Sequence, residues 1–210
     1  MLMLSCDNFT PTLPFLFPNS KSEELFSVGV PLSKAEITQQ EVIKSIVTLK
    51  GKPNLGFLGY MDGENKYTYP DYDETKALAL LSVLKSLADY VIVDCTASLD
   101  NILSATAILE SNAIIRLAAP TLKSISFFSS QIPLYADPKY RRNDHIVGLN
   151  VTEADCYMPI DEIKTHLKEV SFTLPYCREI RQQSIDGMLT KAVSDKKYSA
   201  KLKAIADRVV

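Results

Sequence analysis

Two aspartates stand where short apolar runs end. Tyr90-Val91-Ile92-Val93 leads into Asp94, and Leu2-Met3-Leu4-Ser5-Cys6 leads into Asp7. Four apolar residues followed by a carboxylate is how a central parallel strand delivers one acid to the carboxyl edge of a sheet, where open α/β proteins bind ligands. An acid in that place suits a hard divalent cation, which takes oxygen ligands. If the two strands are neighbours, Asp7 supplies a second active-site acid beside Asp94. Each residue also has a plainer reading. Asp94 can cap the helix expected over 101–110, and Asp7 can form an Asx turn ahead of Pro11.

Other residues carry weaker signals. Asn150 ends the run His145-Ile146-Val147-Gly148-Leu149. Its amide presents a donor and an acceptor side by side and could read a purine edge, or it is simply a turn residue. Lys123, with Thr121 and Ser124, follows Pro120 where a strand should pass into a helix. An anion could sit there, although capping by Thr121 explains the same residues. Arg141-Arg142 and the run Lys191, Lys196, Lys197, Lys201 and Lys203 could touch phosphates or form solvated faces. Phe127-Phe128 with Ile125 reads as core. A phosphate cradle is missing: it needs G-x-x-x-x-G-K-[ST], with backbone N–H groups wrapping the phosphates and a Lys neutralising them. The one Gly-Lys pair, Gly51-Lys52, runs into Pro53 with no glycine at the required distance before it, and is a turn.

The elements that must position these residues alternate. Strands are expected over 1–6, 55–60, 90–93, 113–118, 146–149 and 171–174. Helices are expected over 41–49, 74–87, 101–110, 122–134, 160–167, 177–183 and 196–209. Asp73 is the N-cap of the 74–87 helix, and Gly187 closes the 177–183 helix. Residues 61–73, rich in Tyr and Asp, form an exposed loop, and Pro11-Thr12-Leu13-Pro14 leads out of the first strand. Strand and helix in alternation argue an α/β fold, a mostly parallel sheet with helices on both faces. The 210 residues fit a single domain, 1–210.

Composition narrows the setting. Apolar residues make up 46% and charged residues 23%, which is ordinary for a globular protein with a real core. The net charge of −2 gives no global attraction to DNA or to an anionic membrane, and no segment has the apolar length of a bilayer span. Cys6, Cys95, Cys156 and Cys177 are far apart in sequence and form no C-x-x-C. They read as structural free thiols in a reducing cytoplasm, and zinc has no ligand spacing to use.

With these residues in hand, the chain resembles the ParA/MinD superfamily of P-loop ATPases (the SIMIBI class), particularly the CpaE/TadZ-like branch linked to pilus assembly. Leu4-Ser5-Cys6-Asp7 looks like the end of the second family strand, apolar residues then D-x-D, with Ser5 in place of the first acid. The stretch from Asp89 to Ser98 resembles the Walker B and switch segment, Thr96 standing where many members have proline. Ala113 to Thr121 is similar to the strand that ends in a T-P or A-P pair. Val147-Gly148-Leu149-Asn150 looks like the strand ending in the adenine-contacting Asn. Leu174-Pro175-Tyr176 with Gly187-Met188-Leu189 resembles the late segment whose loop lies over the base.

The resemblance implies ATP and Mg2+ as cofactors, with Asp94 holding the magnesium through water and Asp7 orienting the attacking water. It implies that Thr96, Asn150 and Pro175 line the nucleotide. It also implies a possible homodimer that positions a pilus, secretion or partition cargo. The first family strand, the Walker A loop and the first helix have no counterpart here. The chain is then a fragment, a pseudo-ATPase, or one completed by another chain, and it should not hydrolyse ATP. Loss of that first strand would leave the sheet gapped beside residues 1–6, so that either the remaining strands close up or the chain is poorly stable alone. A non-catalytic scaffold of a pilus or secretion complex is the alternative. A receiver-like domain would need a late-strand Lys that the sequence does not offer.

Overall fold

The computed structural model describes residues 1–13, 26–49, 51–152, 159–167 and 170–209. Cys156 and Pro14 lie outside them. The chain divides into two compact units, Met1–Glu110 and Ser111–Val210.

The first unit is built on a four-stranded sheet ordered β2-β3-β1-β4, from β1 (Leu2–Ser5), β2 (Val47–Leu49), β3 (Lys52–Leu58) and β4 (Val91–Asp94). β1 pairs parallel with β3 on one side and with β4 on the other; β2 joins β3 antiparallel as a hairpin. Helices α1 (Gly29–Leu32), α2 (Gln39–Lys44), α3 (Glu74–Leu87) and α4 (Ile102–Glu110) complete the unit. Leu2, Leu4 and Cys6 alternate onto one face of β1 and meet Leu80, Leu81 and Leu84 of α3 and Leu103 of α4 in one core. The other face is thinner, with Leu13 and Phe57 buried against Met3, Val47 and Leu55.

Local chemistry starts the helices where it should. Asp73 accepts from the Lys76 N–H and caps α3, and Thr38 accepts from the Glu41 N–H and caps α2. The helix expected over 41–49 is cut short: α2 ends at Lys44, and Val47-Thr48-Leu49 turns back as a strand against β3. The β-branched Val47 and Thr48 favour that choice over a last helical turn. Of the two outcomes expected beside residues 1–6, the strands close up. β1 has a partner on both sides, and the edge strands of this sheet are β2 and β4.

The second unit holds a parallel three-stranded sheet ordered β5-β6-β7, from β5 (Ile115–Ala118), β6 (Ile146–Asn150) and β7 (Val170–Leu174). Helices α5 (Leu122–Gln131), α6 (Ile160–Leu167), α7 (Arg178–Ile185) and α8 (Lys196–Ala206) belong to it. Its core is small: Ala118, Leu149 and Ile163, with Ile125, Phe128 and Leu167 packed against them. Thr121 caps α5 by accepting from the Ser124 N–H. Ile125 and Phe128 join this core as expected, but no residue of α5 is fully buried and Phe127 does not join it. Phe128 lies under the Arg116 guanidinium at 4.4 Å, while Phe127 and Leu122 are exposed. Gly187 takes φ +63 just past α7, where a left-handed residue ends a helix, as expected. No helix among the described residues is long and apolar enough to cross a membrane.

Leu4 is fully buried on the central strand and touches the main core. Leu4→Ala should cost about 2–5 kcal/mol of unfolding free energy, read as a lowered midpoint in urea. Leu122→Ala, at an 81% exposed position, should leave the midpoint unchanged.

Candidate functional site

In the first unit the strand ends bring three of the expected residues together. Register matches Ser5 to Asp94, and the Cys6 N–H donates to the Asp94 carbonyl at 2.9 Å. Asp7 therefore follows β1 beside the end of β4, close enough for its charge to act on Asp94.

The two carboxylates differ in what surrounds them. Asp7 Oδ1 accepts from the Phe9 N–H at 2.9 Å and the Thr10 N–H at 3.0 Å, and Oδ2 accepts from the Thr10 hydroxyl at 2.8 Å. That is the Asx turn weighed above, and both oxygens are engaged within their own loop. Burial alone would raise the Asp7 pKa, but these donors outweigh it and hold the carboxyl below the ordinary range. Asp94 is exposed, and its carboxylate has no hydrogen bond or ion pair among the described residues. Partial desolvation, with the Asp7 charge second, pushes its carboxyl above the ordinary value. Asp94 is thus the carboxylate of the pair left free for a ligand.

Thr96 belongs to the loop that follows. Its N–H donates to Ser104 Oγ at 2.9 Å and its hydroxyl to the Ser98 carbonyl at 3.1 Å, which fixes the loop on α4. A residue not singled out from the sequence organises this corner. Asn101, nearly buried, donates from Nδ2 to the Cys6 carbonyl at 2.9 Å and to Asn8 Oδ1 at 3.3 Å. Its Oδ1 accepts from the Ser104 N–H at 2.9 Å, so one amide caps α4 and ties it to the exit of β1. An Asn three residues before a Ser at a helix start was the available signal, but the spacing says nothing of the strand it reaches. A small cavity of about 170 Å³ opens beside it, lined by Asn8, Tyr60, Lys66, Tyr69 and Tyr72.

In the second unit Asn150 and Pro175 line one cavity of about 650 Å³, with Tyr176, Ile180, Arg181 and Tyr198. Asn150 ends β6 in register with Leu174 of β7, and the Val151 N–H donates to the Leu174 carbonyl at 3.0 Å. That pairing sets the Asn150 amide and the Pro175 ring at the same end of adjacent strands. The Asn150 side chain is exposed and makes no hydrogen bond with a described residue. Apolar surface from Pro175 and Ile180, an aromatic ring at Tyr198 and a free amide at Asn150 suit a flat heteroaromatic ring. Burial raises the Tyr198 phenol, with Cys177 adding to it, so the ring is present as the neutral hydroxyl. Lys123 is exposed beyond the Thr121 cap, and α5 needs no anion to satisfy that turn.

The Asp94 and Asp7 shifts have opposite linkage. Asp94's raised value means its contribution to stability falls as pH rises through the folded pKa, whereas Asp7's contribution is present above its ordinary value and is lost as pH drops below it. Carboxyl titration followed by NMR should place Asp94 above and Asp7 below the ordinary aspartate value. Asp7→Asn should then bring Asp94 down. An Asp94 value unmoved in that variant would mean that Asp7 does not act on it.

No family profile and no curated protein matches the chain. Solved structures do. A ParA family ATPase from Chlorobium tepidum superposes with a TM-score of 0.75 at 15% identity, over 98% of this chain and 84% of that one. The cell division ATPase MinD of Pyrococcus furiosus gives 0.68 at 16% identity, over 99% and 84%. A plasmid partition protein of Borrelia burgdorferi bound to AMPPNP gives 0.65 at 16% identity, over 99% and 86%. The chain therefore has the α/β fold of the ParA/MinD ATPases, with its mostly parallel sheets and flanking helices.

Proposed function

We propose that this chain, read as a single domain over 1–210, is a ParA/MinD-like adenine-nucleotide-binding protein that does not hydrolyse ATP by itself. The observation that carries the reading is the cavity beside Asn150 and Pro175, whose size and lining suit a purine. Support comes from the shared fold and from the AMPPNP bound to one of the similar structures. In this reading Asn150 hydrogen-bonds the base edge, Pro175 covers its face, and Thr96 shapes the loop after Asp94.

The acids fit a magnesium site only as auxiliaries. Asp94 is free and exposed, but no group of three or more His, Cys, Asp or Glu among the described residues could hold an ion alone. Mg2+ would be held mainly by the nucleotide's phosphates and water, with Asp94 reached through water. Bound there, the ion would neutralise phosphate charge. Asp7, whose two oxygens hold its own loop in shape, is in this reading the acid that helps orient water. The sequence carries no G-x-x-x-x-G-K-[ST] cradle, so the P-loop donors and Lys that phosphoryl transfer relies on are not supplied by this stretch of chain.

The biological role we assign is that of the CpaE/TadZ-like branch: a cytoplasmic pseudo-ATPase, forming a homodimer, that helps position a pilus, secretion or partition machine. A second reading is a nucleotide-independent scaffold. It is favoured by the exposed apolar residues Leu122, Phe127, Ile132 and Leu134 along and after α5.

Calorimetry with ATP and Mg2+ separates the two. Binding in the micromolar range, lost in Asn150→Ala and weakened in Asp94→Ala, with turnover no higher than in Asp94→Ala, is the expected result. Absence of any nucleotide binding would leave the scaffold, and turnover above the Asp94→Ala control would overturn the pseudo-ATPase assignment.

A further inference from the structure

Cys6 and Cys95 end the same two strands that carry the acids. The Cys6 N–H bond to the Asp94 carbonyl continues the β1–β4 ladder one step past Ser5 and Asp94, setting Cys6 opposite Cys95. Opposed residues on neighbouring strands point to the same face, and such strands lie about 4.8 Å apart. That separation falls inside the range of about 4.4–6.8 Å between α-carbons that a disulfide spans.

Both thiols are free. They stand close enough for each to shift the other's titration, Cys6 upward and Cys95 downward. Cys6 is wholly buried in line with Leu2 and Leu4. Cys95 packs against the same core but is only half-buried, at the open end of the strand. Cys95 is the residue of the two that a small oxidant meets first, and Cys6 lies opposite it out of solvent. That asymmetry is what a peroxidatic and a resolving cysteine need.

We propose that Cys6 and Cys95 form a redox-modification site whose co-reactant is hydrogen peroxide and whose product is an intrachain disulfide. The Cys95 sulfur attacks one peroxide oxygen. The O–O bond breaks, Cys95 becomes a sulfenic acid, and the other oxygen leaves as water. The Cys6 sulfur then displaces the hydroxyl from Cys95, forming the S–S bond and releasing a second water. Two thiols lose two electrons and two protons, and one peroxide is reduced to two waters.

The bond would tie the ends of β1 and β4 one residue from Asp7 and Asp94 respectively. It would also remove the Cys95 thiol proton that is donated to the Ser104 carbonyl at 3.8 Å, loosening the contact between the Thr96 loop and the start of α4. Register and burial of the two cysteines carry the site whether or not a nucleotide binds.

The test is a peptide map. The native chain is treated with excess hydrogen peroxide, remaining thiols are alkylated, and the protein is digested with trypsin without reductant. The expected product is peptide 1–21 joined to peptide 86–116, two hydrogens lighter than their sum and separated again by dithiothreitol. The same treatment of the guanidinium-denatured chain should scramble the partners. Cys6→Ala should leave a sulfenic acid on Cys95 that dimedone traps. Sulfinic acid on Cys95 with Cys6 still alkylated, a link only between two chains, or unmodified Cys6 and Cys95 would each overturn the proposal. The map of the unsubstituted chain decides this even where a variant fails to fold.

Discussion

The first unit depends on β1 being hydrogen-bonded along both edges. A four-residue strand at the start of the chain has little surface of its own, so its place is set by the ladders to β3 and β4 and by three side chains driven into the core. Backbone groups in an interior strand must be paired, and here the pairing also fixes register. A slip of one residue would turn Leu2, Leu4 and Cys6 out of the core and swing Asp7 away from Asp94. The geometry of the acids and of the thiols is therefore a consequence of the same hydrogen bonds.

Asn101 converts that register into a corner. The strand exit, the loop after β4 and the first turn of α4 would otherwise each leave polar backbone groups to satisfy. One buried amide serves the Cys6 carbonyl and the Ser104 N–H, and Ser104 Oγ in turn receives the Thr96 N–H. Removing a partner from such a network costs more than the bond itself, because the groups left behind are desolvated. The carboxylates diverge for a related reason. The Asp7 loop provides three donors and stabilises the charge, whereas the Asp94 carboxylate meets neither a donor nor a cation among the described residues, and desolvation pushes it upward.

Much of this was legible in the residues. Glu74–Leu87 and Ile160–Leu167 are helices over the lengths their apolar spacing implied, and Asp73, Thr121 and Gly187 perform the capping roles their types suggest. The alternation of strands and helices gave the fold class. What failed was decided by distant partners. Whether Val47–Leu49 is helix or strand depends on β3 offering an edge, and no local pattern records that. Phe127 reads as core by composition, yet its helix has too little opposing surface to bury it. Asn150 and Pro175 were matched to a nucleotide site by resemblance. That they line one cavity follows from the β6–β7 register, which spacing alone could not give.

The edges of the two sheets carry a tension that composition cannot hide. β4 and β5 are written as interior strands, yet each is an edge of its own sheet, with Tyr90 and Ile92 exposed on or beside one and Ile115 and Leu117 on the other. An apolar edge with unpaired backbone groups is the feature that soluble proteins normally blunt with charge, proline or a bulge. β4 has only its terminal Asp94 and β5 only Arg116, whose guanidinium is drawn over the Phe128 and Tyr135 rings. The free carboxylate of Asp94 stands at the end of the β4 edge, so whatever engages that edge also changes the surroundings of the acid best placed to meet a ligand.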